Sequence, residues 1–405
     1  MLKKLVMEFK DELDALGVKV DKIDKRVAVL EDRLGGWKLN GEFRFDAKFV
    51  GGYDGDENNY LAAKTKDEKK FDLSRARFHF TKFIDENTKF YGRLNGEGAT
   101  WDRFYIDTKL PYDINFRVGK FNFDWEGDLG FYNGGENDAT FGDFDTYGFQ
   151  FQKQWGIVKA TAVLGRETAL ATDRTSLKDL SENTHMLYAL NLHADFNEKF
   201  RAGAMGYWFI EDDQPVATDE IGNVNTYGLY AGFDFTPAVT LQGIYYFQDL
   251  DSKLVGTLED SPKSWKAQLA IKQDLLKFTG LWIEYAQEDN TFVGRNQIAG
   301  GNGAYDWDGN AFVLANRVVN NETMKVWFVR ADQKWNDKWS SFLRYTKADF
   351  DTANVDDTQA WTVGVALQYT PAINFQLAYD NIDYGDKGTL TGSENLLRFR
   401  TYVSF

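Results

Sequence analysis

Two hydrophobic periods divide the chain. From Leu2 to Leu34 apolar residues recur at alternating steps of four and three, through Val6, Phe9, Leu13, Leu16, Val20, Ile23, Val27 and Leu30. That is the heptad seam of a coiled coil. At about 1.5 Å per residue such a helix would run roughly 50 Å. Gly35-Gly36 follows, the residue type expected just past a helix C-terminus. An amphipathic helix packed on its own domain is the plainer reading, but globular helices rarely keep a two-position seam over this length. The pattern predicts a coiled-coil stalk over residues 1–36.

At Trp37 the period falls to two. Trp37, Leu39, Phe43, Phe45, Ala47 and Phe49 alternate with Lys38, Asn40, Glu42, Arg44, Asp46 and Lys48. The alternation returns in Tyr227 to Phe235, Val239 to Phe247, Trp361 to Tyr369 and Leu397 to Phe405. Soluble β-sandwiches alternate as well, so three further features decide. Tight turns, such as Pro111-Tyr112-Asp113, Asn197-Glu198-Lys199 and Asn336-Asp337-Lys338, alternate with connections that are mostly long, acidic and Gly-rich. The turns repeat one another with flanking aromatics, as in Phe196-Asn197-Glu198-Lys199-Phe200 and Trp335-Asn336-Asp337-Lys338-Trp339, which suits an interfacial girdle. The chain also ends on an apolar strand at Phe405. Residues 37–405 are therefore expected to form an all-β transmembrane antiparallel β-barrel of about 16 or 18 strands. The count depends on a short hairpin at Gly96 to Thr100 and on the limits of a strand in Thr323 to Ala331. Closure is a physical requirement, because a sheet edge in hydrocarbon leaves each unpaired backbone group costing several kcal/mol. A barrel of this size is wide enough for an aqueous channel.

Composition narrows the function. The 405 residues carry a formal charge of −15 and contain no Cys and only 3 His. Without Cys there are no disulfides, thiolate metal sites or Cys nucleophiles, and an acidic balance argues against a nucleic-acid partner. No window approaches the roughly 18 to 20 apolar residues of a spanning helix. Met1 to Leu34 has no apolar core of a signal peptide, so the chain reads as a mature or trimmed form.

The heptad stalk, the junction Leu-Gly-Gly-Trp-Lys-Leu-Asn-Gly-Glu-Phe-Arg-Phe (Leu34 to Phe45), the long barrel segment and terminal Phe405 together resemble the OmpM-type porins of diderm Firmicutes. The resemblance implies a homotrimer in the outer membrane with its stalk in the periplasm. It also implies tethering to the cell wall through an S-layer homology domain upstream of the stalk. These residues show neither that domain nor a signal peptide, so any cell-wall partner is expected only through a missing upstream domain. Val and Leu at the heptad positions do not themselves fix the oligomeric state.

If the apolar parity faces lipid, Arg44, Arg75, Arg77, Arg93, Arg103, Arg117, Arg398 and Arg400 face the lumen, on the last strand and the first five. Closure makes those strands neighbours, so one wall of the pore is basic. The plainer alternative is that each arginine pairs with an inward acid such as Glu42, Asp46, Glu97 or Asp107 and merely holds the wall together. The pattern is similar to that of general porins, which oppose an arginine ladder with acids on an inward-folded loop between the fifth and sixth strands. The loop at that position carries Asp124, Glu126, Asp128, Glu136 and Asp138. Such a loop would constrict the pore and set up a transverse field.

Enzyme readings are poor. His79, His185 and His193 have no metal-ligand spacing, no Gly-x-Ser-x-Gly elbow is present, and Gly300-Gly301-Asn302-Gly303 reads as a loop. Tyr207 and Tyr230 would form a sugar slide or, more plainly, pack. No cofactor is expected, with divalent cations held by acidic loops left open. The expected function is a porin for passive diffusion of ions and small hydrophilic solutes, with outer-membrane lipids as its surroundings. A mainly structural tether and a channel selective for anions or sugars are the alternatives.

Overall fold

The computed structural model describes residues 35–51, 71–132, 139–167, 185–211, 222–255, 259–289, 291–294, 323–388 and 391–405. The heptad positions from Leu2 to Leu34 lie outside them. Eighteen strands follow in order: β1 (Trp37–Gly51), β2 (Phe71–Phe83), β3 (Lys89–Asn95), β4 (Thr100–Leu110), β5 (Ile114–Phe123) and β6 (Phe144–Trp155). Then come β7 (Val158–Glu167), β8 (His185–Asp195), β9 (Phe200–Glu211), β10 (Val224–Thr236), β11 (Val239–Leu250) and β12 (Lys263–Ile271). The last six are β13 (Gly280–Asp289), β14 (Thr323–Lys334), β15 (Trp339–Phe350), β16 (Thr358–Thr370), β17 (Ile373–Asp383) and β18 (Ser393–Ser404).

Each strand pairs antiparallel with the next, and β18 returns to β1 in a register running from Glu42 opposite Ser404 to Gly51 opposite Asn395. The cylinder is closed and leaves no sheet edge. The strand count is 18 because both doubtful segments exist. The short hairpin is β3–β4, and β14 covers the region whose limits the sequence left ambiguous. Among the described residues no helix is long and apolar enough to cross a membrane.

The seam is fastened on both faces. Inside, Arg400 of β18 grips Asp46 of β1 with two hydrogen bonds, 2.6 and 2.7 Å. Outside, the terminal Phe405 exchanges backbone hydrogen bonds with Gly41 at 2.8 and 3.0 Å, and its ring packs near Phe43 and Phe78. A Cβ on Gly41 would lie 2.6 Å from that ring and 2.8 Å from the Arg77 carbonyl oxygen, so only glycine lets the last residue close the ladder there.

Alternation sets the two faces. Along β10 the even positions from Val224 to Gly232 are buried, while Leu229, Phe233 and Phe235 are exposed. Around the tight-turn rim exposed aromatics follow one another: Phe83, Tyr112, Trp155, Phe196, Phe235, Phe278, Trp335 and Tyr369. A second belt lies toward the opposite end, where Trp208 meets Tyr227, Tyr227 meets Phe247, Tyr285 meets Trp327 and Trp361 meets Tyr379 at centroid distances of 4.8 to 5.9 Å. Two aromatic belts flanking an apolar band are the outer surface of a membrane barrel.

Candidate functional site

The connection between β5 and β6 folds into the lumen. Its first turn is α1 (Trp125–Asp128), capped by Asp124, whose Oδ1 accepts from the Gly127 N–H at 3.0 Å. Apolar side chains of this loop need cover, and the inner wall supplies it. Trp125 and Phe141 each lie 5.0 Å from the Tyr207 ring on β9, and Phe131 stands edge-on to Tyr230 on β10. Tyr207 and Tyr230 are thus packing residues under the loop, and their burial leaves no aromatic slide.

Polar contacts pin the loop to the far wall. Glu126, fully buried, receives the Lys266 ammonium of β12 at 2.6 Å and accepts from the Phe141 N–H at 2.8 Å and the Tyr246 hydroxyl at 2.8 Å. Gln242 and Gln268 both donate to the Gly130 carbonyl, at 2.6 and 2.7 Å. A buried ion pair is stable only when such bonds satisfy its remaining polar atoms, and both oxygens of Glu126 are satisfied here, Oε2 also accepting from the Thr140 N–H at 3.1 Å.

Of the five loop acids expected to face the pore, the structure spreads three over different tasks. Asp128 is exposed to the lumen, Asp124 caps α1, and Glu126 is turned away as the anchor. Expecting Glu126 to face the pore is therefore corrected, because its partner Lys266 draws it into the wall. Glu136 and Asp138 lie outside the described residues.

The eight arginines all stand on the inward parity of β18 and β1 to β5, and most have acid partners. Glu42 holds Arg75 and Arg77 at 3.6 and 3.2 Å, Asp107 holds Arg117 at 2.6 Å, and Arg103 lies 3.7 Å from Asp145. Arg93 takes both carboxylate oxygens of Asp102. Arg44 donates to Ser74 and Arg398 to Gln376. The row also extends further than the sequence indicated. Arg344 on β15, ion-paired with Asp380 at 3.4 Å, faces Arg330 on β14 across the ladder. The wall is a hydrogen-bonded net of guanidinium groups and carboxylates, with arginine in excess.

Between α1 and the inner wall of β5 to β8 lies a chamber of about 840 Å³, lined by Arg117, Asp128, Gln150, Gln152, Lys159 and Asn191 among others. His193 at its edge bonds Tyr230 and Asp195, while His79 bonds Tyr91 and His185 the Gly222 carbonyl. The three histidines stay apart. Among the described residues no group of three or more His, Cys, Asp or Glu is placed to hold a metal ion.

Solved structures share this fold. The chain is similar to Pseudomonas aeruginosa OccK3 (OpdO), with a TM-score of 0.55 at 12% identity over 93% of this chain and 97% of that one. OccK11 (OpdR) of the same organism matches with a TM-score of 0.56 at 10% identity, over 91% and 95%. OccD3 (OpdP), also from Pseudomonas aeruginosa, matches at 0.53 and 13%, over 91% of each chain. No protein-family model and no curated protein matches the chain.

Sequence reasoning missed Lys266, Arg330 and Arg344. It also missed Phe292 and Val293, which follow β13 into the lumen, where Val293 exchanges hydrogen bonds with the Gln248 side chain at 2.8 and 2.9 Å. The aromatic character of Phe292 beside an otherwise polar loop was the available signal.

Burial, and then the nearby Asp143 carboxylate, push the Asp124 pKa up to about 7. A carboxyl whose folded pKa is raised favours the folded loop most below its unfolded value, about 4, and loses that advantage as pH rises toward 7. Hydrogen exchange over residues 124–132, corrected for intrinsic rate, should therefore be slower at about pH 5 than at about pH 8. Asp124→Asn should flatten most of that difference. Faster corrected exchange at the lower pH would contradict the assignment.

Proposed function

We propose that the chain is an outer-membrane porin, a water-filled channel for passive diffusion of ions and small hydrophilic solutes. The likeness to the matched Pseudomonas aeruginosa structures, at 10 to 12% identity, carries the fold; the activity is our reading of the lumen. The observation that supports it best is the loop between β5 and β6, which enters the lumen and is bonded to β11 and β12. A barrel that served only as a wall would need no such partition. Asp128 on one side and the arginine-rich wall on the other would set a transverse field that favours polar solutes.

The finer reading is a homotrimer with a periplasmic coiled-coil stalk over residues 1–36, joined in a longer chain to a cell-wall-binding domain. It rests on the heptad seam and the family resemblance. The test is single-channel recording of purified protein in a planar bilayer under a salt gradient. Open channels closing in steps of three support the trimeric porin, and the reversal potential tells which charge dominates. A silent bilayer with folded protein would remove the channel reading and leave the structural tether.

A further inference from the structure

The chamber under α1 has a floor that simple diffusion does not require. Gln152 on β6 stands opposite Thr161 on β7, and Thr161 opposite Asn191 on β8. Their side chains therefore form one continuous row on the lumen face. Gln150 lies on the same face of β6, opposite Arg117. Much of the bonding capacity of this row is unspent. Gln152 donates to Thr161 at 3.2 Å, Asn191 accepts from the Tyr230 hydroxyl at 3.0 Å, and among the described residues Gln150 makes no side-chain hydrogen bond. A primary amide offers two donor hydrogens and an acceptor oxygen, so the floor presents neutral donors and acceptors side by side.

Charge at the rim is mixed and largely compensated. Arg117 is held by Asp107 at 2.6 Å. Lys159, exposed on β7, has no ion-pair partner among the described residues but lies within electrostatic reach of Asp128 on the loop. An inorganic ion gains little from such a lining, because each sign meets its opposite within the same chamber. Hydroxyl groups gain more, since each can donate to a carboxylate or amide oxygen and accept from an amide or ammonium.

We propose that this chamber is a binding subsite for neutral polyhydroxylated solutes, sugars of one or two rings. Its volume of 840 Å³ falls within the range of roughly 300 to 1,000 Å³ usual for small-molecule pockets. The proposal rests on the porin reading for how solute reaches the chamber, and it adds the solute class that pauses there.

Equilibrium binding to the full-length folded protein in detergent tests it independently of conduction. Isothermal titration with maltose should give saturable heat, and titration with sodium glutamate at matched ionic strength should not. The double variant Gln150→Ala with Gln152→Ala should weaken maltose binding about tenfold, as loss of two or more hydrogen bonds in a shared site predicts. Lys159→Gln should leave most of that binding in place. Heat-modifiable gel migration verifies that each variant is folded. Absent maltose binding, unchanged binding in the double variant, or saturable glutamate binding in place of maltose would overturn the subsite. A silent bilayer with maltose binding intact would instead overturn the porin reading and leave the subsite standing.

Discussion

Replacing Lys266 with Met is expected to raise single-channel conductance and to make it noisy. The ammonium of Lys266 is the only cation shown bonded to Glu126 among the described residues, at 2.6 Å, and both side chains are buried. Removing one member of such a pair leaves an uncompensated buried charge, at a cost of roughly 3 to 5 kcal/mol. Glu284 on β13, also buried, is a second carboxylate near the same ammonium. Without Lys266 the wall holds two acids and no cation between them, so α1 is expected to leave it and carry the Glu126 carboxylate into water. Conductance should then rise by roughly a factor of two or more as the lumen loses its partition.

The double variant Lys266→Met with Glu126→Gln separates charge from packing. With its carbonyl oxygen at the Oε1 position, the Gln still accepts from the Phe141 N–H and the Tyr246 hydroxyl, both at 2.8 Å from Glu126 now, and gives up only the acceptor of the Thr140 N–H at 3.1 Å. No charge is left behind at that position, so conductance should return toward its original level. Should the single variant conduct like the parent, the apolar packing of Trp125, Phe131 and Phe141 and the bonds from Gln242 and Gln268 to Gly130 hold the loop without the ion pair.

The distribution of legible and illegible features follows from range. Strand parity and the tight turns were readable because each depends on neighbours within a few residues, where the period of two and turn chemistry act directly; the inward course of the loop after β5 was expected only from the resemblance to general porins. The arginine row on β18 and β1 to β5 was readable through closure alone. Its continuation was not, because an ambiguous boundary in Thr323 to Ala331 hid the parity of Arg330 on β14, and Arg344 lies on β15, outside the strands that closure makes neighbours. The anchoring role of Glu126 was illegible for a different reason. Its partner lies on β12 and its hydroxyl donor on β11, far along the chain, and no local pattern distinguishes an acid that faces water from one that will be drawn into a wall. The same holds for Tyr207 and Tyr230, whose inward parity was clear but whose cover comes from the loop.

Depth within the lipid face gives the second large effect. Val363 on β16 is exposed, lies near the middle of the strand, and stands between Leu343 and Tyr379. Arginine there faces hydrocarbon near the midplane, so Val363→Arg should destabilise the barrel by roughly 2 to 4 kcal/mol. Leu367, singled out by parity alone, also faces outward, between Trp339 and Phe375. Yet it sits close to the turn after Thr370, beside the aromatic rim, where an arginine can extend its guanidinium to the interface. Leu367→Arg should therefore cost only about 0 to 1 kcal/mol. Thr362→Arg is the control for the other face. Its side chain is buried and bonds Asp380 in the lumen, so its cost comes from steric crowding and does not depend on bilayer thickness. Reversible urea unfolding in liposomes of two thicknesses distinguishes the three. Val363→Arg should become milder in the thinner bilayer while Thr362→Arg stays constant. A Val363→Arg barrel as stable as the parent in both would mean that this face of β16 is covered by protein, as at a contact between barrels, and would locate an oligomer interface there.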